Sequence, residues 1–287
     1  MKYLCGGIFL LTSLSINFPE KGKGLKKILN SIRKDRVGVE IKNARGVSVK
    51  QITYTSYSGK ILLDRIDGII GAQRNRLLCS EKLRFPDNSG YRRFYSTDFS
   101  ARLCTNMALC VIRECENPEN LKIGIYDIDG DSHDILYHIL GLCSDVTVLT
   151  DNNDVYRYEL DRAMNELGAT AVVTKNVDDF VDCNFIVAPS PIEESLPIKN
   201  NAVVLAVERP KVQLNGFVYY KYHFKMPNGF DLLKPNECDE EYFCSALYTL
   251  ASQYELGSIV PTLCRNDHTS QTVKSLCAEL NNKSGFA

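Results

Sequence analysis

Residues 121–151 constrain the fold of this chain more than any other stretch, because they pass through four local patterns in succession. The short apolar run Lys122-Ile-Gly-Ile-Tyr126 is typical of a buried strand. It is followed by the turn sequence Asp127-Ile-Asp-Gly-Asp-Ser132, by helical periodicity over residues 133–142, and by an alternating run over residues 145–150. These patterns predict a strand, a tight turn, a helix and a second strand.

The same alternation continues along the chain and predicts an α/β architecture. A helix is expected at residues 155–167, followed by strands at residues 171–174, 184–188 and 202–207. Strand and helix in turn, with short connections, predict a Rossmann-like, doubly wound parallel sheet with helices on both faces. In such a sheet ligands bind beyond the carboxyl ends of the strands.

The strand ends contain the candidate residues for a dinucleotide cofactor, which would be NAD. Gly130 and Asp151 are about twenty residues apart, the spacing at which a dinucleotide-binding unit places its ribose carboxylate. Ser132 ends the turn and Ser190 follows a later strand, and both are candidate cofactor-binding residues. The G-x-G-x-x-G pattern is nevertheless missing from the turn. The four carboxylates there would repel a phosphate; they belong to Asp127, Asp129, Asp131 and Asp134.

The acidic turn also has a metal-dependent interpretation. Asp127-Ile-Asp-Gly-Asp131 after an apolar strand resembles the nucleophile motif of haloacid-dehalogenase-type phosphatases. That resemblance implies Asp127 as nucleophile and Asp129 as acid and base, and the candidate ligands of Mg²⁺ are Asp127, Asp129 and Asp131. The chain has no room for the flap of that family before the next strand. A carboxylate-rich turn that caps a helix and an unusual nucleotide site are the other two interpretations.

Three segments are predicted around this centre. Residues 1–98 form an N-terminal mixed α/β domain, residues 99–237 a Rossmann-like domain with a linker helix at 99–115, and residues 238–287 two C-terminal helices that pack back on the first domain. Within the first domain we expect a strand near the start, a helix at 22–34, strands at 37–42, 47–57 and 76–79, and a helix at 61–70. The last strand of the chain is expected at 217–224, and the closing helices at 239–256 and 269–280.

Charge is distributed unevenly between the two halves of the chain. Residues 1–115 contain 21 Lys and Arg against nine Asp and Glu, whereas residues 116–287 contain 13 against 26. The basic stretch 21–36 could bind nucleic acid. Its apolar residues share one helical face, which favours an amphipathic helix with a solvated basic side instead. Attraction between the two halves across a cleft, and a partner that binds the basic half, are further interpretations.

Cysteine usage and hydropathy indicate the compartment. The eleven cysteines have no regular spacing and no C-x-x-C pair, which predicts reduced thiols in a cytoplasmic protein. The apolar N-terminal stretch is interrupted by Gly6 and Gly7, so it is read as a buried strand and not as a signal peptide. No other stretch approaches a membrane span.

Short motifs in the first half are similar to those of shikimate dehydrogenases. Gly7-Ile-Phe-Leu-Leu-Thr-Ser-Leu-Ser15 resembles the strand-end motif whose two serines hold the substrate carboxylate, which implies Ser13 and Ser15 in that role. Tyr95-Ser-Thr-Asp98 resembles Tyr-Asn-Thr-Asp, and Lys60 precedes Asp98 by 38 residues, near the family spacing. The resemblance implies that Lys60 and Asp98 transfer a proton to and from a hydroxyl group.

The chain departs from that family where the cofactor would bind. The Gly-Ala-Gly-Gly-Ala loop of the family is replaced by Asp127-Ile-Asp-Gly-Asp131. We therefore expect a divergent shikimate-dehydrogenase-like or amino-acid-dehydrogenase-like protein that binds a small polar ligand in the interdomain cleft, with NAD(P) binding weakened or lost. An active NAD-dependent oxidoreductase on a hydroxy acid, a Mg²⁺-dependent phosphohydrolase and a partner-binding module are the alternatives. The chain could also form a homodimer.

Overall fold

A computed structural model of the chain describes residues 9–19 and 33–284. These residues divide into two compact units. Unit 1 contains the described residues up to Ser96 together with Met226–Leu256, and unit 2 contains Thr97–Lys225 together with the described residues from Gly257 onward. The helix predicted at residues 22–34 falls almost entirely outside the described part of the chain.

Twelve strands and six α-helices are described. In chain order the strands are β1 Phe9–Asn17, β2 Arg36–Ala44, β3 Val47–Thr55, β4 Lys122–Tyr126, β5 Asp145–Leu149, β6 Val172–Thr174, β7 Phe185–Ala188, β8 Val203–Ala206, β9 Phe217–Tyr219, β10 Lys221–His223, β11 Leu263–Arg265 and β12 Ser270–Thr272. The helices are α1 Asp67–Ile70, α2 Asp98–Glu114, α3 Asp134–Leu140, α4 Asn153–Leu167, α5 Glu240–Leu250 and α6 Val273–Ser284.

Unit 1 is built on a three-stranded sheet in the order β1-β3-β2. β1 runs parallel to β3, and β2 runs antiparallel to it. The β2–β3 hairpin turns through Arg45 and Gly46, which both lie at positive φ. A two-residue turn needs this conformation to match the twist of its strands. Arg45 is held there by an ion pair with Glu255 and by the ring of Phe230.

The helix predicted at residues 61–70 is only partly formed. The chain instead makes a 3₁₀ turn at Leu63–Arg65, the four-residue helix α1, and a second 3₁₀ segment at Gly71–Arg76. Gly71 has φ +62° and ψ −138°, a backbone conformation outside the helical region, so α1 stops at Ile70. The short strand expected at residues 76–79 is reduced to isolated bridges of Leu77 and Leu78.

Unit 2 contains a six-stranded sheet in which all neighbouring strands run parallel, in the order β6-β5-β4-β7-β8-β9. Numbered within the unit this is 3-2-1-4-5-6, the order of a Rossmann-type sheet. The chain is therefore an α/β protein with a Rossmann-like sheet. The order reverses between β4 and β7, so the crevice where such sheets bind ligands lies at the carboxyl ends of these two strands.

The last part of the chain differs from the sequence prediction in three places. The helix expected at 239–256 ends at Leu250, and a 3₁₀ segment follows at Tyr254–Ser258. The strand expected at 217–224 is divided at Tyr220, whose N–H donates to the carbonyl of Arg265, so β9 ends the parallel sheet while β10 joins β11 and β12. The helix expected from residue 269 begins at Val273 instead. Thr272 and Ser275 exchange hydrogen bonds as a capping pair, which explains the later start.

Of the two closing helices, only α5 belongs to unit 1. α6 belongs to unit 2 and packs against α2, where the thiol of Cys277 donates to the carbonyl of Val111. The ten cysteines in the described residues are all free thiols. No helix within residues 9–19 and 33–284 is long and apolar enough to cross a membrane.

Candidate functional site

The acidic turn of residues 127–132 lies at the carboxyl end of β4, beside the point where the strand order reverses. Its first residue, Asp127, is only 1% exposed. The next two acidic residues, Asp129 and Asp131, face solvent. One carboxylate of this turn is therefore part of the interior of unit 2, and the other two are part of its surface.

The buried carboxylate of Asp127 accepts three hydrogen bonds. The Tyr156 hydroxyl on α4 donates at 2.7 Å, the Ser190 hydroxyl beyond β7 at 3.2 Å, and the backbone N–H of Ser132 at 3.0 Å. Ser190 in turn accepts the backbone N–H of Ile128 at 3.1 Å. We call Asp127, Tyr156, Ser190 and Ser132 the Asp127 network. It joins the turn after β4 to α4 on one side and to the end of β7 on the other.

The electrostatic surroundings of the network act in two directions. Burial raises the pKa of the Asp127 carboxyl above its usual range, while the hydrogen bonds from Tyr156, Ser132 and Ser190 oppose this rise. Burial, followed by the nearby charge of Asp127, raises the pKa of Tyr156. Tyr156 therefore stays a neutral donor at physiological pH. The arrangement is that of a satisfied internal polar network.

The backbone of the turn is largely occupied by its own hydrogen bonds. Five of the seven N–H groups of residues 127–133 donate to protein acceptors. Gly130 has a φ of +78°, and a Cβ atom built on it would lie 2.5 Å from Val155 Cγ2. The glycine thus permits close packing of the turn against α4. In a dinucleotide site the equivalent backbone N–H groups point at the pyrophosphate.

The predicted metal ligands do not converge. Among the described residues there is no group of three His, Cys, Asp or Glu side chains placed to hold a metal ion. Asp127 points inward to protein donors, while Asp129 and Asp131 are exposed. The structure therefore does not bring together the three carboxylates that the sequence suggested as a Mg²⁺ site.

Asp151 follows β5 and is well exposed, with 73% of its side chain accessible. Its carboxylate lies 3.7 Å from Lys175 Nζ, and its backbone N–H donates to the carbonyl of Ile128. The position at the end of the second strand of the sheet is the one from which a ribose is contacted in Rossmann-type proteins. The role of Asp151 toward a ribose stays a prediction.

A second polar region lies on β1 and β3 in unit 1. Ser13 is opposite Gln51 and Ser15 is opposite Thr53 in the parallel pairing, so these four side chains share one face of the sheet. Ser13 is 1% exposed, and its hydroxyl has no hydrogen-bond partner among the described residues. The other three are partly exposed. Ser13 and Ser15 thus lie together, one with an unused buried hydroxyl.

A cavity of about 270 Å³ opens beside the carboxyl end of β1. Its polar lining comes from Ser15, Ser80, Lys82 and Glu237, and its apolar lining includes Leu14. The charged groups of Lys82 and Glu237 form no ion pair within the described part of the chain. The cavity combines hydroxyl groups, one cation and one anion at the end of a strand.

The residues expected to transfer a proton belong to different units. Lys60 lies in the exposed turn after β3 in unit 1, where its carbonyl accepts the Ser56 hydroxyl at 2.6 Å. Asp98 is the exposed first residue of α2 in unit 2. Their cooperation in proton transfer stays a prediction.

Sequence reasoning missed Tyr156, which donates the shortest hydrogen bond of the Asp127 network. A signal was present in α4, where Tyr156, Glu159 and Ala163 lie on the buried face. Glu159 is only 5% exposed and lies 3.5 Å from His133 Nδ1. Polar groups spaced along the buried face of a helix indicate an internal network and could have directed attention to it.

Comparisons with known proteins do not identify a family for this chain. No family model and no curated protein matches the sequence. Among solved structures the chain is similar to L-tryptophan dehydrogenase from Nostoc punctiforme, with 9% sequence identity over 98% of this chain and 90% of that chain, and a TM-score of 0.30. A similarity this low carries no argument about fold or function, so the fold assignment rests on the strand order of unit 2.

Proposed function

We propose that this chain is a small-ligand-binding protein with a dehydrogenase-like fold in which binding of NAD(P) is weakened or lost. One observation carries the proposal: the Asp127 network lies at the carboxyl ends of β4 and β7. In a Rossmann-type sheet that is the position of the dinucleotide. Here the backbone N–H groups of Ile128 and Ser132, which a pyrophosphate could otherwise use, donate to the side chains of Ser190 and Asp127.

Two physical arguments support the loss of dinucleotide binding. First, a pyrophosphate is stabilised by free backbone N–H groups at a helix N-terminus, and most of those in the turn already have acceptors. Second, Asp129 and Asp131 add exposed negative charge beside the crevice. Like charges within a few ångströms of each other are unfavourable even in water. Both effects disfavour a phosphate.

The polar face of unit 1 supports the ligand-binding half of the proposal. A buried hydroxyl without a partner costs about 1–3 kcal/mol, so the Ser13 hydroxyl is a group that a bound ligand would satisfy. Ser15 continues the polar row to the cavity that Lys82 lines. The resemblance to shikimate dehydrogenases puts a substrate carboxylate on these two serines. A small carboxylic or hydroxy acid is therefore the proposed class of ligand.

Titration calorimetry with NAD⁺, NADH, NADP⁺ and NADPH, with and without Mg²⁺, tests the cofactor half. We expect no binding heat up to about millimolar ligand. A dissociation constant in the micromolar to sub-millimolar range would contradict the proposal and favour an active oxidoreductase. In that case Asp151→Ala should weaken binding of NAD⁺, whereas Asp154→Ala, which changes an exposed carboxylate on the next helix, should not.

A thermal-shift screen of small carboxylic and hydroxy acids tests the ligand half. A true ligand should raise the melting temperature in a concentration-dependent way. Ser13→Ala and Ser15→Ala should abolish the shift. Ser89→Ala is the matched control, because that hydroxyl donates to the carbonyl of Pro86 within its own turn. Equal shifts in all three variants would remove the two serines from the site.

A further inference from the structure

The outer strand of unit 1 has an edge with which no residue of 9–19 or 33–284 pairs. β2 is nine residues long and pairs with β3 on one side only. No described backbone group pairs with its other side. An open edge of this length presents alternating N–H and C=O groups that can extend the sheet by pairing with another chain.

The side chains of β2 also leave apolar surface exposed. Val39 is 49% exposed and Ile41 is 57% exposed, and both lie on the same face of the strand. Large apolar side chains on an open edge favour association. The strand therefore combines unpaired backbone groups with apolar side chains that a partner strand would cover.

The sequence of β2 fits a second copy of itself. Two identical strands that pair antiparallel in one continuous sheet are related by a two-fold axis. This axis passes midway between one residue and its own copy in the second chain, and the register is named here by that residue. An axis at Ile41 places Ile41 opposite its own copy and Glu40 opposite the Lys42 of the second chain, twice by symmetry. Opposite charges directly across a pair of strands stabilise the pairing.

Other registers fit less well. An axis at Glu40 would place two glutamates opposite each other, and an axis at Val39 would place Lys42 opposite Arg36. An axis at Gly38 would pair Arg36 with Glu40 but would then bring Lys42 opposite Lys34. The register centred on Ile41 aligns seven residues of β2 with residues of its copy and pairs charges of opposite sign.

We propose that β2 is the interface of a homodimer, in which two copies pair antiparallel through Ile41 and form a continuous six-stranded sheet. The partner is a second copy of this chain, and the specificity comes from the two Glu40–Lys42 pairs. The interface lies on unit 1 alone and does not depend on a ligand or cofactor.

Charge-reversal substitutions in the full chain test this interface. The assay is light scattering coupled to size-exclusion chromatography at micromolar protein concentrations. The wild-type chain is expected to be a dimer. Lys42→Glu should weaken the dimer about tenfold or more, because two attractive pairs become repulsive. Glu40→Lys should do the same. The double exchange Glu40→Lys with Lys42→Glu should restore dimerisation, since it re-forms both pairs in the opposite sense.

Lys225→Glu in unit 2 is the control for net charge and should leave the dimer unchanged. Circular dichroism of each variant shows whether the fold is retained. A monomeric wild-type chain would overturn the proposal. A dimer that the single exchanges leave intact, or that the double exchange fails to restore, would also overturn it. A dimer sensitive to Arg36→Glu but not to Lys42→Glu would replace the proposed register with the one centred on Gly38.

Discussion

Removal of the Tyr156 hydroxyl should loosen the Asp127 network without changing the shape of the core. Tyr156 is fully buried, and its hydroxyl donates to the Asp127 carboxylate at 2.7 Å. Hydrogen bonds to charged groups contribute about 1.5–3 kcal/mol, so Tyr156→Phe should cost about 2 kcal/mol. That value corresponds to about a thirtyfold increase in the population of the opened state. The loss should be confined to unit 2.

Native-state hydrogen exchange followed by mass spectrometry is the suitable assay. The two units need not unfold in one transition, so a single global free energy of unfolding would be difficult to interpret. Exchange in peptides that cover β4 and α4 reports the opening of this region directly. Tyr158→Phe is the matched control, because Tyr158 is on the same helix and is 68% exposed. Tyr158→Phe should change the free energy of opening, as derived from exchange, by less than about 0.5 kcal/mol.

A double-mutant cycle with Asp127→Asn separates the hydrogen bond from other effects of the substitution. The coupling energy between Tyr156→Phe and Asp127→Asn should be about 1–2 kcal/mol. If Tyr156→Phe left the exchange of β4 and α4 as slow as in the Tyr158→Phe control, the hydroxyl would not stabilise the network. Asp127 would then not hold the acidic turn to α4 through Tyr156.

Three further predictions concern stability. Burial raises the pKa of Asp127 in the folded state, so its stabilising contribution is fully present below the unfolded pKa of about 4 and is lost as pH rises through the folded pKa. The free energy of opening of β4 and α4 in the wild type relative to Asp127→Asn, measured by hydrogen exchange, should therefore increase as pH is lowered from about 7 to about 4. A constant difference would contradict the raised pKa. Gly130→Ala should destabilise unit 2 by about 1–3 kcal/mol, because Gly130 has a positive φ and an added Cβ would collide with Val155. Adding Val155→Ala should recover only the free energy lost to the collision, and hydrogen exchange would measure both effects. Ser13→Ala should leave the melting temperature of unit 1 unchanged or raise it by a few degrees, because the hydroxyl that it removes has no described partner; a clear decrease would mean that this hydroxyl is paired.

The central part of the fold could be predicted because its signals are local. β4, β5 and α4 follow from hydrophobic periodicity, and Gly168 ends α4 at a φ of +65°, as a glycine at that position indicates. The predictions at residues 61–70, 217–224 and 269–280 were inaccurate for a different reason. There the chain changes conformation within a few residues because of tertiary hydrogen bonds or caps, which periodicity does not detect.

The candidate site was predicted only in part. The sequence singled out the acidic turn and predicted Ser132 and Ser190 as cofactor-binding residues, a role that stays a prediction. It could not show which aspartate is buried. That depends on Tyr156, 29 residues after Asp127, and on Ser190, 63 residues after it. Hydrogen bonds over such separations follow from the packing of α4 and β7 against β4, and a local pattern does not specify them.

The division of unit 1 into two chain segments has a consequence for biosynthesis. Arg45 in the first segment pairs with Glu255, 210 residues later, and Gln51 donates to the carbonyl of Leu233. A ribosome must therefore complete β4 to β9 before the residues that finish unit 1 leave the exit tunnel. During that interval the sheet face that carries Gln51, together with Leu11, Val47 and Val49, lacks its contact with Leu233. Leu14, Ile52 and Tyr54 on the opposite face already pack against residues of the first segment. A fragment that ends near residue 98 is expected to be insoluble on expression, and chaperone binding during synthesis should be concentrated on the nascent β1–β3 region.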